Sequence, residues 1–227
     1  VQTCALPISP MIAIVDYGMG NLQSVANACE ALGYDTLSTQ DPGDLQDVDG
    51  IILPGVGAFG EGMENLQRLG FVDVLTKEVI ERKKPYLGIC LGLQFLAERG
   101  YEHGEHTGLG WMKGDVVLME PDDFACKIPH MGWNSVTITY SSPLFEGLQG
   151  HPVFYFVHSY HLLLDASDQE CLVATTNHGM MVTAAVQRDN IFGTQFHPEN
   201  SQAAGLLVLN NFFSYCQRDA QASTNCI

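Results

Sequence analysis

The sequence predicts an α/β fold: a doubly wound, mainly parallel sheet with helices on both faces and added antiparallel hairpins. Over the first two-thirds of the 227 residues, short apolar runs alternate with helical patterns, which is typical of right-handed βαβ units. The later part carries short segments rich in β-branched and aromatic residues, and these favour hairpins. Since 46% of the residues are apolar, the chain can bury a sizeable core. We predict one domain over residues 11–216.

The first part of the chain contains four predicted strands separated by turns and helices. Asn21 is a residue type that caps helix N-termini, and Gly33 is a type that ends helices. Val72, Leu75 and Val79 recur on one face of a second helix. The predicted strands span 12–17, 34–38, 50–53 and 85–89, and the predicted helices span 21–32, about 72–84 and 91–99.

In the later part of the chain, the alternation of strands and helices ends and strands predominate. Six short segments have the composition of β-structure, and the last of them is followed by a helical pattern. The predicted strands span 116–118, 136–140, 153–157, 172–175, 181–186 and 191–195, and the predicted helix spans 201–216.

The two ends of the chain fall outside the predicted domain. Residues 1–10 carry no charge, and their beginning resembles the translation of a sequencing-library adapter. We therefore expect a non-native leader there, with Met11 as the true start. The polar residues 217–227 are expected to form a mobile tail.

Composition excludes several classes of protein. The formal net charge is −16 and the pI is near 4.6, which argues against a nucleic-acid binder and against attachment to an anionic membrane. No apolar run is long enough to span a membrane. The seven cysteines are dispersed, without a CxxC pair, so we expect a reduced cytoplasmic protein with no metal site.

Cys90 is the strongest candidate for a catalytic residue. It lies in Gly88-Ile89-Cys90-Leu91-Gly92, between a predicted strand and a predicted helix. A sharp turn there exposes a nucleophile, and the helix N-terminus favours the thiolate. The alternative is an ordinary buried cysteine, but the two flanking glycines favour the catalytic interpretation.

His197 is the candidate base. It follows the apolar strand 191–195, and Glu199 lies two positions further on. Because parallel strand ends meet at one edge of a sheet, His197 can face Cys90, with Glu199 orienting the imidazole. The alternative is a surface turn with a solvated glutamate.

Pro54-Gly55-Val56-Gly57 follows the third predicted strand. Glycines allow a backbone N–H to point into a site, and the Leu91 N–H would be a second donor for an oxyanion. Alone, this segment is better explained as an ordinary glycine-rich turn.

Together these three segments, in this order, resemble the class I, triad-type glutamine amidotransferases, which have a flavodoxin-like fold. The resemblance implies a triad of Cys90, His197 and Glu199. It also implies that the oxyanion donors are Val56, Gly57 and Leu91, and that Gln94 binds glutamine.

Three further segments resemble the glutaminase subunits of imidazole glycerol phosphate synthase: 16–21, 129–134 and 155–160. That resemblance implies that Ser159 and Tyr160 line the glutamine pocket. It implies contacts of Asn21, Met131 and Trp133 with a (β/α)8-barrel cyclase subunit in a heterodimer. The position after Glu199 is often basic in this family, and here it is Asn200, so docking to the partner is expected to differ.

The resemblance implies the hydrolysis of L-glutamine to glutamate and ammonia without a cofactor. The ammonia would pass to the cyclase subunit, which makes imidazole glycerol phosphate and AICAR in histidine biosynthesis. Two alternatives are the glutaminase subunit of another amidotransferase, such as pyridoxal phosphate synthase, and a non-catalytic partner-binding module. Residues 129–134 argue against the first, and the intact triad argues against the second.

Overall fold

A nine-stranded mixed sheet forms the centre of the computed structural model, which describes residues 10–123 and 126–224. The strand order is β2-β1-β3-β4-β13-β12-β11-β8-β9. The strands of this sheet are β1 (Ile12–Val15), β2 (Thr36–Thr39), β3 (Gly50–Gly55), β4 (Tyr86–Cys90), β8 (His130–Ile138), β9 (Val153–His158), β11 (Leu172–Asn177), β12 (Met181–Arg188) and β13 (Ile191–Thr194).

The first half of this sheet is parallel. Strand β1 pairs with β2 and β3, and β4 pairs with β3 and β13, all in parallel. The intervening helices are α1 (Leu22–Ala31), α2 (Phe59–Arg68), α3 (Phe71–Leu75, continued by a π-helical stretch Thr76–Glu81) and α4 (Leu91–Gln94). The carboxyl ends of β3, β4 and β13 therefore lie side by side, as predicted from the βαβ pattern.

The second half is antiparallel. Strands β12, β11, β8 and β9 extend the sheet beyond β13 through antiparallel pairs. A separate four-stranded sheet, which the sequence did not predict, has the order β10-β7-β5-β6. Its strands are β5 (Arg99–Gly100), β6 (His106–Thr107), β7 (Gly114–Leu118) and β10 (Tyr160–Leu164). The doubly wound α/β class is confirmed, although parallel and antiparallel pairings share the main sheet evenly.

Two apolar layers cover the faces of the main sheet. One contains Phe59 and Phe95, and the other contains Phe192 and Phe212 from β13 and the last helix. Because β1, β3 and β4 are buried on both faces, their sequences read as continuous apolar runs rather than alternating ones.

The predicted helix 91–99 is wrong beyond its first turn, because α4 ends at Gln94. The Phe95 and Ala97 carbonyls accept hydrogen bonds from the N–H groups of Leu109 and Gly110 instead of continuing the helix. The chain then enters the small sheet at β5. Apolar periodicity alone did not distinguish a buried turn from a buried helix.

Helix α2 was not predicted from the sequence. It contains Gly60 and Gly62, which lower helix propensity. The packing explains both glycines, since a Cβ at Gly60 would overlap the His106 ring and one at Gly62 would overlap Phe95.

The last helix, α5, spans Gln202–Thr224 and is longer than the predicted 201–216. The predicted mobile tail is therefore helical as far as Thr224, because the residues after Cys216 lack Gly and Pro. Residues 1–9 of the predicted leader lie outside the described residues, and Pro10 is buried. Among the helices within 10–123 and 126–224, none is long and apolar enough to cross a membrane.

Candidate active site

Cys90 lies on the predicted sharp turn, at the last position of β4 and directly before α4. Its φ is +55° and its ψ is −104°, a conformation that non-glycine residues rarely adopt. The turn requires glycine on either side. A Cβ at Gly88 would overlap the Gly92 carbonyl, and a Cβ at Gly92 would overlap the Leu53 carbonyl oxygen. Strained backbone of this kind is found at active sites.

The Cys90 side chain has two polar neighbours besides the histidine described next. Gln195 Nε2 lies 3.5 Å from Cys90 Sγ, and the Val157 carbonyl oxygen lies 4.0 Å from it. The thiol therefore lies between the end of β13 and strand β9, and an amide N–H is aimed at the sulfur.

His197 and Glu199 form a buried pair beside Cys90. His197 Nδ1 lies 2.7 Å from Glu199 Oε1, whereas His197 Nε2 is buried and has no hydrogen-bond partner of ordinary geometry. Burial lowers the pKa of His197, but its interactions with Cys90 and with the Glu199 carboxylate more than offset this and raise it to about 10. The three predicted triad residues are thus brought together, with one imidazole nitrogen held by the carboxylate and the ring next to Cys90.

Backbone contacts fix the segment that carries this pair. The His197 N–H donates to the Tyr155 carbonyl oxygen at 2.9 Å, and Ser201 Oγ donates to the His197 carbonyl oxygen at 2.6 Å. The Tyr155 N–H in turn donates to Ser201 Oγ at 3.0 Å. Strand β9 and Ser201 therefore hold the backbone of the loop that carries the imidazole.

A cavity of about 410 Å³ opens at Cys90. All three predicted oxyanion residues contribute to its wall, and so do the three predicted glutamine-binding residues. The lining residues are Val56, Gly57, Ala58, Cys90, Leu91, Gln94, Glu102, Val157, His158, Ser159 and Tyr160. His197 and Glu199 are not among them. A groove of about 620 Å³ near Glu146 and Arg218 is larger, but it contains none of the predicted site residues.

The oxyanion segment continues directly from β3. Gly57 has a φ of +100°, which glycine tolerates and other residues resist. Val56 is exposed toward the cavity mouth, whereas Leu91 is buried at the start of α4. Backbone groups of the β3 loop and of the α4 N-terminus therefore border the same space as Cys90, which is the arrangement that an oxyanion site requires.

Gln94 is buried in the wall of the cavity with its amide nitrogen already engaged. Its Nε2 donates to the Tyr160 carbonyl oxygen at 2.9 Å and to Gln195 Oε1 at 3.1 Å. These bonds fix the amide, so that Gln94 joins the Tyr160 segment to the end of β13.

Sequence reasoning did not identify three further residues at the site. Gln195, which contacts the sulfur, was quoted only as part of a motif, although its place one residue before Phe196-His197 was a usable signal. Glu102 Oε2 accepts the N–H of Phe59 at the start of α2, and no sequence pattern indicated it. His158 lines the cavity next to Ser159.

The residues predicted to contact a partner lie outside the cavity. Asn21 caps α1, its side chain accepting the Ser24 N–H at 3.3 Å. Met131 and Trp133 lie on β8 with 63% and 49% of their surfaces exposed. Apolar side chains exposed singly are common at protein surfaces, and only contiguous patches mark interaction sites, so the docking of these residues remains a proposal.

A model of the family described as "Glutamine amidotransferase class-I" matches residues 13–216 of this chain. The chain belongs to the class-I glutamine amidotransferase family. It is 48% identical over 202 residues to "Imidazole glycerol phosphate synthase subunit HisH 1" of Campylobacter jejuni subsp. jejuni strain 81-176, covering 89% of this chain and 98% of that protein. It is 47% identical to the HisH subunit of Zymomonas mobilis, covering 91% of this chain and 97% of that protein.

Solved structures show the same fold at lower identity. The structure of a putative GMP synthase subunit from Thermoplasma acidophilum has a TM-score of 0.72 at 22% identity, covering 95% of this chain and 98% of that one. The structure of PurLQS from Thermotoga maritima has a TM-score of 0.70 at 20% identity, covering 92% of this chain and 99% of that one. The predicted family is therefore confirmed. The chain is a glutamine amidotransferase, of the kind that serves as the glutaminase subunit of imidazole glycerol phosphate synthase in histidine biosynthesis.

Proposed function

We propose that this chain hydrolyses L-glutamine with Cys90 as nucleophile, His197 as general acid and base, and Glu199 as the group that orients His197. In this proposal it is the glutaminase half of a cytoplasmic heterodimer. Its ammonia passes to a (β/α)8-barrel cyclase subunit that makes imidazole glycerol phosphate and AICAR. The observation that carries the proposal is the meeting of Cys90, on its strained turn, with the buried His197–Glu199 pair.

The reaction takes two steps at one sulfur. The Cys90 thiolate attacks the carboxamide carbon of glutamine, a C–S bond forms and the C–N bond breaks, and the His197 imidazolium gives its proton to the departing ammonia. A γ-glutamyl thioester remains on Cys90. Neutral His197 then takes a proton from water, the hydroxide adds to the thioester, and the C–S bond breaks to release glutamate and the thiolate.

The electrostatics of the site support this order of events. Because the pKa of His197 is raised to about 10, the imidazole holds its proton at neutral pH while it lies beside Cys90. The proton needed by the leaving ammonia is therefore already in position. In the intermediate, the backbone N–H groups of Val56 or Gly57 and of Leu91 would bind the oxyanion from the cavity wall.

The ammonia product gives a reason for a partner. Ammonia is protonated in neutral water and is then no longer a nucleophile, so a synthase that uses it benefits from an enclosed route. Met131 and Trp133 provide an exposed apolar surface on β8 for such a partner. Asn200 Nδ2 donates to Glu199 Oε1 at 3.4 Å, and if the basic residue of the family contacts the partner at this position, docking of this chain or its salt dependence differs.

Substitution of Cys90 by alanine tests the proposal. In the complex with the cyclase subunit, Cys90→Ala is expected to abolish glutamine-dependent synthesis and to leave ammonia-dependent synthesis unchanged. Cys171→Ala is the matched control, because Cys171 is also buried but lies near Arg188 instead of the cavity. Glutamine-dependent synthesis that survives Cys90→Ala, or an equal loss of both activities, would contradict the proposal.

A further inference from the structure

A chain of hydrogen bonds begins at strand β8, next to the exposed Met131 and Trp133. Asn134 Nδ2 lies 3.1 Å from His130 Nε2, His130 Nδ1 lies 3.0 Å from His158 Nε2, and His158 Nδ1 lies 2.9 Å from the Tyr160 carbonyl oxygen. His130 and His158 face each other in the register of β8 and β9. The chain thus crosses from the edge of the main sheet to the segment that lines the cavity.

The direction of every bond in this chain follows from its last member. The Tyr160 carbonyl only accepts, so His158 Nδ1 must carry a proton and the Nε2 of the neutral ring must accept. His130 Nδ1 must therefore donate, and His130 Nε2 must accept from the Asn134 amide. The amide is oriented independently, because Asn134 Oδ1 accepts the Ser135 N–H and Nδ2 also donates to the Asn177 carbonyl.

The same chain continues to the nucleophile. The Tyr160 carbonyl oxygen that accepts from His158 also accepts from Gln94 Nε2 at 2.9 Å. Gln94 Nε2 donates to Gln195 Oε1, and Gln195 Nε2 points at Cys90 Sγ. One uninterrupted path of polar contacts therefore joins β8 to the sulfur.

The two histidines of this path are buried, so that breaking one of their hydrogen bonds is costly. His130 and His158 are only 3% and 7% exposed, and their rings are held by neighbours: His130 stacks on Phe156 at 4.6 Å and on His178 at 4.2 Å. Burial lowers the pKa of His130 to about 4 and that of His158 to about 3, so both rings are neutral as the chain requires. A buried polar group that loses its partner is costly, and each member therefore holds the next in place.

A metal site is not a competing explanation for these histidines. Among the described residues, no group of three or more His, Cys, Asp and Glu side chains is arranged to hold a metal ion. The two rings also lie at hydrogen-bond distance from each other, which leaves no room for an ion between them.

We infer that His130 and His158 are positioning residues that couple the docking face of β8 to the Tyr160–Gln94 wall of the glutamine pocket and so to Cys90. The inference rests on the proposed function, since it takes β8 as the face that the cyclase subunit contacts. Neither ring touches glutamine in this account. His130 holds His158, and His158 holds the Tyr160 carbonyl, which fixes Gln94 and Gln195 and so the position of the sulfur.

The test compares variants that break the chain with variants that keep it. His130→Phe keeps a ring on Phe156 but removes both hydrogen bonds, whereas His130→Asn keeps an N–H near the place of Nδ1. His178→Phe is the matched control, because it keeps the stack on His130 and lies outside the chain. Each is assayed for glutamine hydrolysis alone, for hydrolysis with the cyclase partner plus an analogue of its substrate, and for ammonia-dependent synthesis.

His130→Phe is expected to reduce the stimulation of glutamine hydrolysis by the partner about tenfold and to raise KM for glutamine. His130→Asn is expected to keep much of the stimulation and a KM closer to that of the wild type. His178→Phe is expected to resemble the wild type in both. Ammonia-dependent synthesis should be unchanged in all three. Normal stimulation in His130→Phe, or equal losses in all three variants, would overturn the inference. A failure of the proposed function itself would appear in the unsubstituted protein as an absence of glutamine hydrolysis.

A second measurement is made on the unsubstituted complex, and a variant serves only to assign its signals. ¹⁵N imidazole spectra of the unsubstituted complex, with His130→Asn used for assignment, are expected to show both His130 and His158 neutral and protonated at Nδ1. A proton on Nε2 of either neutral ring, or a charged ring at neutral pH, would break the directional chain and overturn the inference.

Discussion

At Cys90, backbone geometry and electrostatics act together. The positive φ at the end of β4 directs the thiol into the cavity, while Gln195 and the His197 imidazole approach the sulfur from β13. None of these neighbours is close to Cys90 in the chain. The fold therefore assembles the reactive group from strand ends, and the local sequence provides only the turn.

The charge on His197 depends on its neighbours Cys90 and Glu199. Its pKa lies above the ordinary value near 6.5, so the proton is kept at neutral pH and is lost only as pH rises through about 10. The Glu199 carboxylate contributes to this shift through its hydrogen bond and its charge.

Glu199→Gln is therefore expected to move the titration of His197 to lower pH and to reduce kcat for glutamine by about a hundredfold or more. The amide keeps the shape of the side chain but loses the charge that favours the imidazolium. An NMR titration of His197 and steady-state kinetics measure the two effects.

Glu146→Gln is the control for this substitution, because Glu146 borders the separate groove near Arg218. An unchanged titration midpoint in Glu199→Gln, together with a normal kcat, would show that Glu199 does not set the state of His197.

Among the secondary-structure elements, the contact between β3 and α4 sets the position of the turn. Gly92 lies so close to the Leu53 carbonyl that a methyl group would overlap backbone atoms, which cannot rotate away. The N-terminus of α4 is thereby packed directly against β3, and this brings Leu91 to the cavity that Val56 also lines.

Gly92→Ala is expected to lower the free energy of unfolding by about 3 kcal/mol, measured by urea denaturation, because the methyl group forces β3 and α4 apart. Gly110→Ala is the comparison, since Gly110 has a φ of +67° but open space around it. Gly110→Ala should lower the free energy of unfolding by about 1 kcal/mol, because it adds backbone strain alone. Equal losses in the two variants would show that the close approach at Gly92 has no special role.

The sequence predicted the parallel strands and the turn at Cys90 because both depend on local patterns. It did not predict the end of α4 or the start of β8 at His130. At both places the outcome depends on partners distant in sequence, namely Leu109 and Gly110 for α4, and β9 for β8.

The same distinction holds at the site. Cys90, His197 and Glu199 lie in short recognisable motifs, whereas Glu102 reaches the cavity only through folding. In the small sheet, which carries Tyr160 to the pocket, the sequence predicted part of β7 as strand 116–118 but not the other strands or their pairing. Contacts between distant segments are what a single sequence leaves undetermined.

In the molecule as a whole, the parallel and antiparallel halves of the mixed sheet carry different regions. Its parallel half brings the ends of β3, β4 and β13 to one edge, where Cys90 lies, and its antiparallel half carries the exposed Met131 and Trp133 on β8. The hydrogen-bond chain through His130 joins these two regions.

The central claim is that Cys90 is the sulfur that attacks glutamine. A glutamine analogue with an electrophilic diazoketone in place of the carboxamide, followed by peptide mass spectrometry, tests this most directly. Of the seven cysteines, Cys90 alone should be alkylated in step with the loss of glutamine hydrolysis, and excess glutamine should prevent both. Complete inactivation with Cys90 unmodified, or with the label on another residue, would contradict the account.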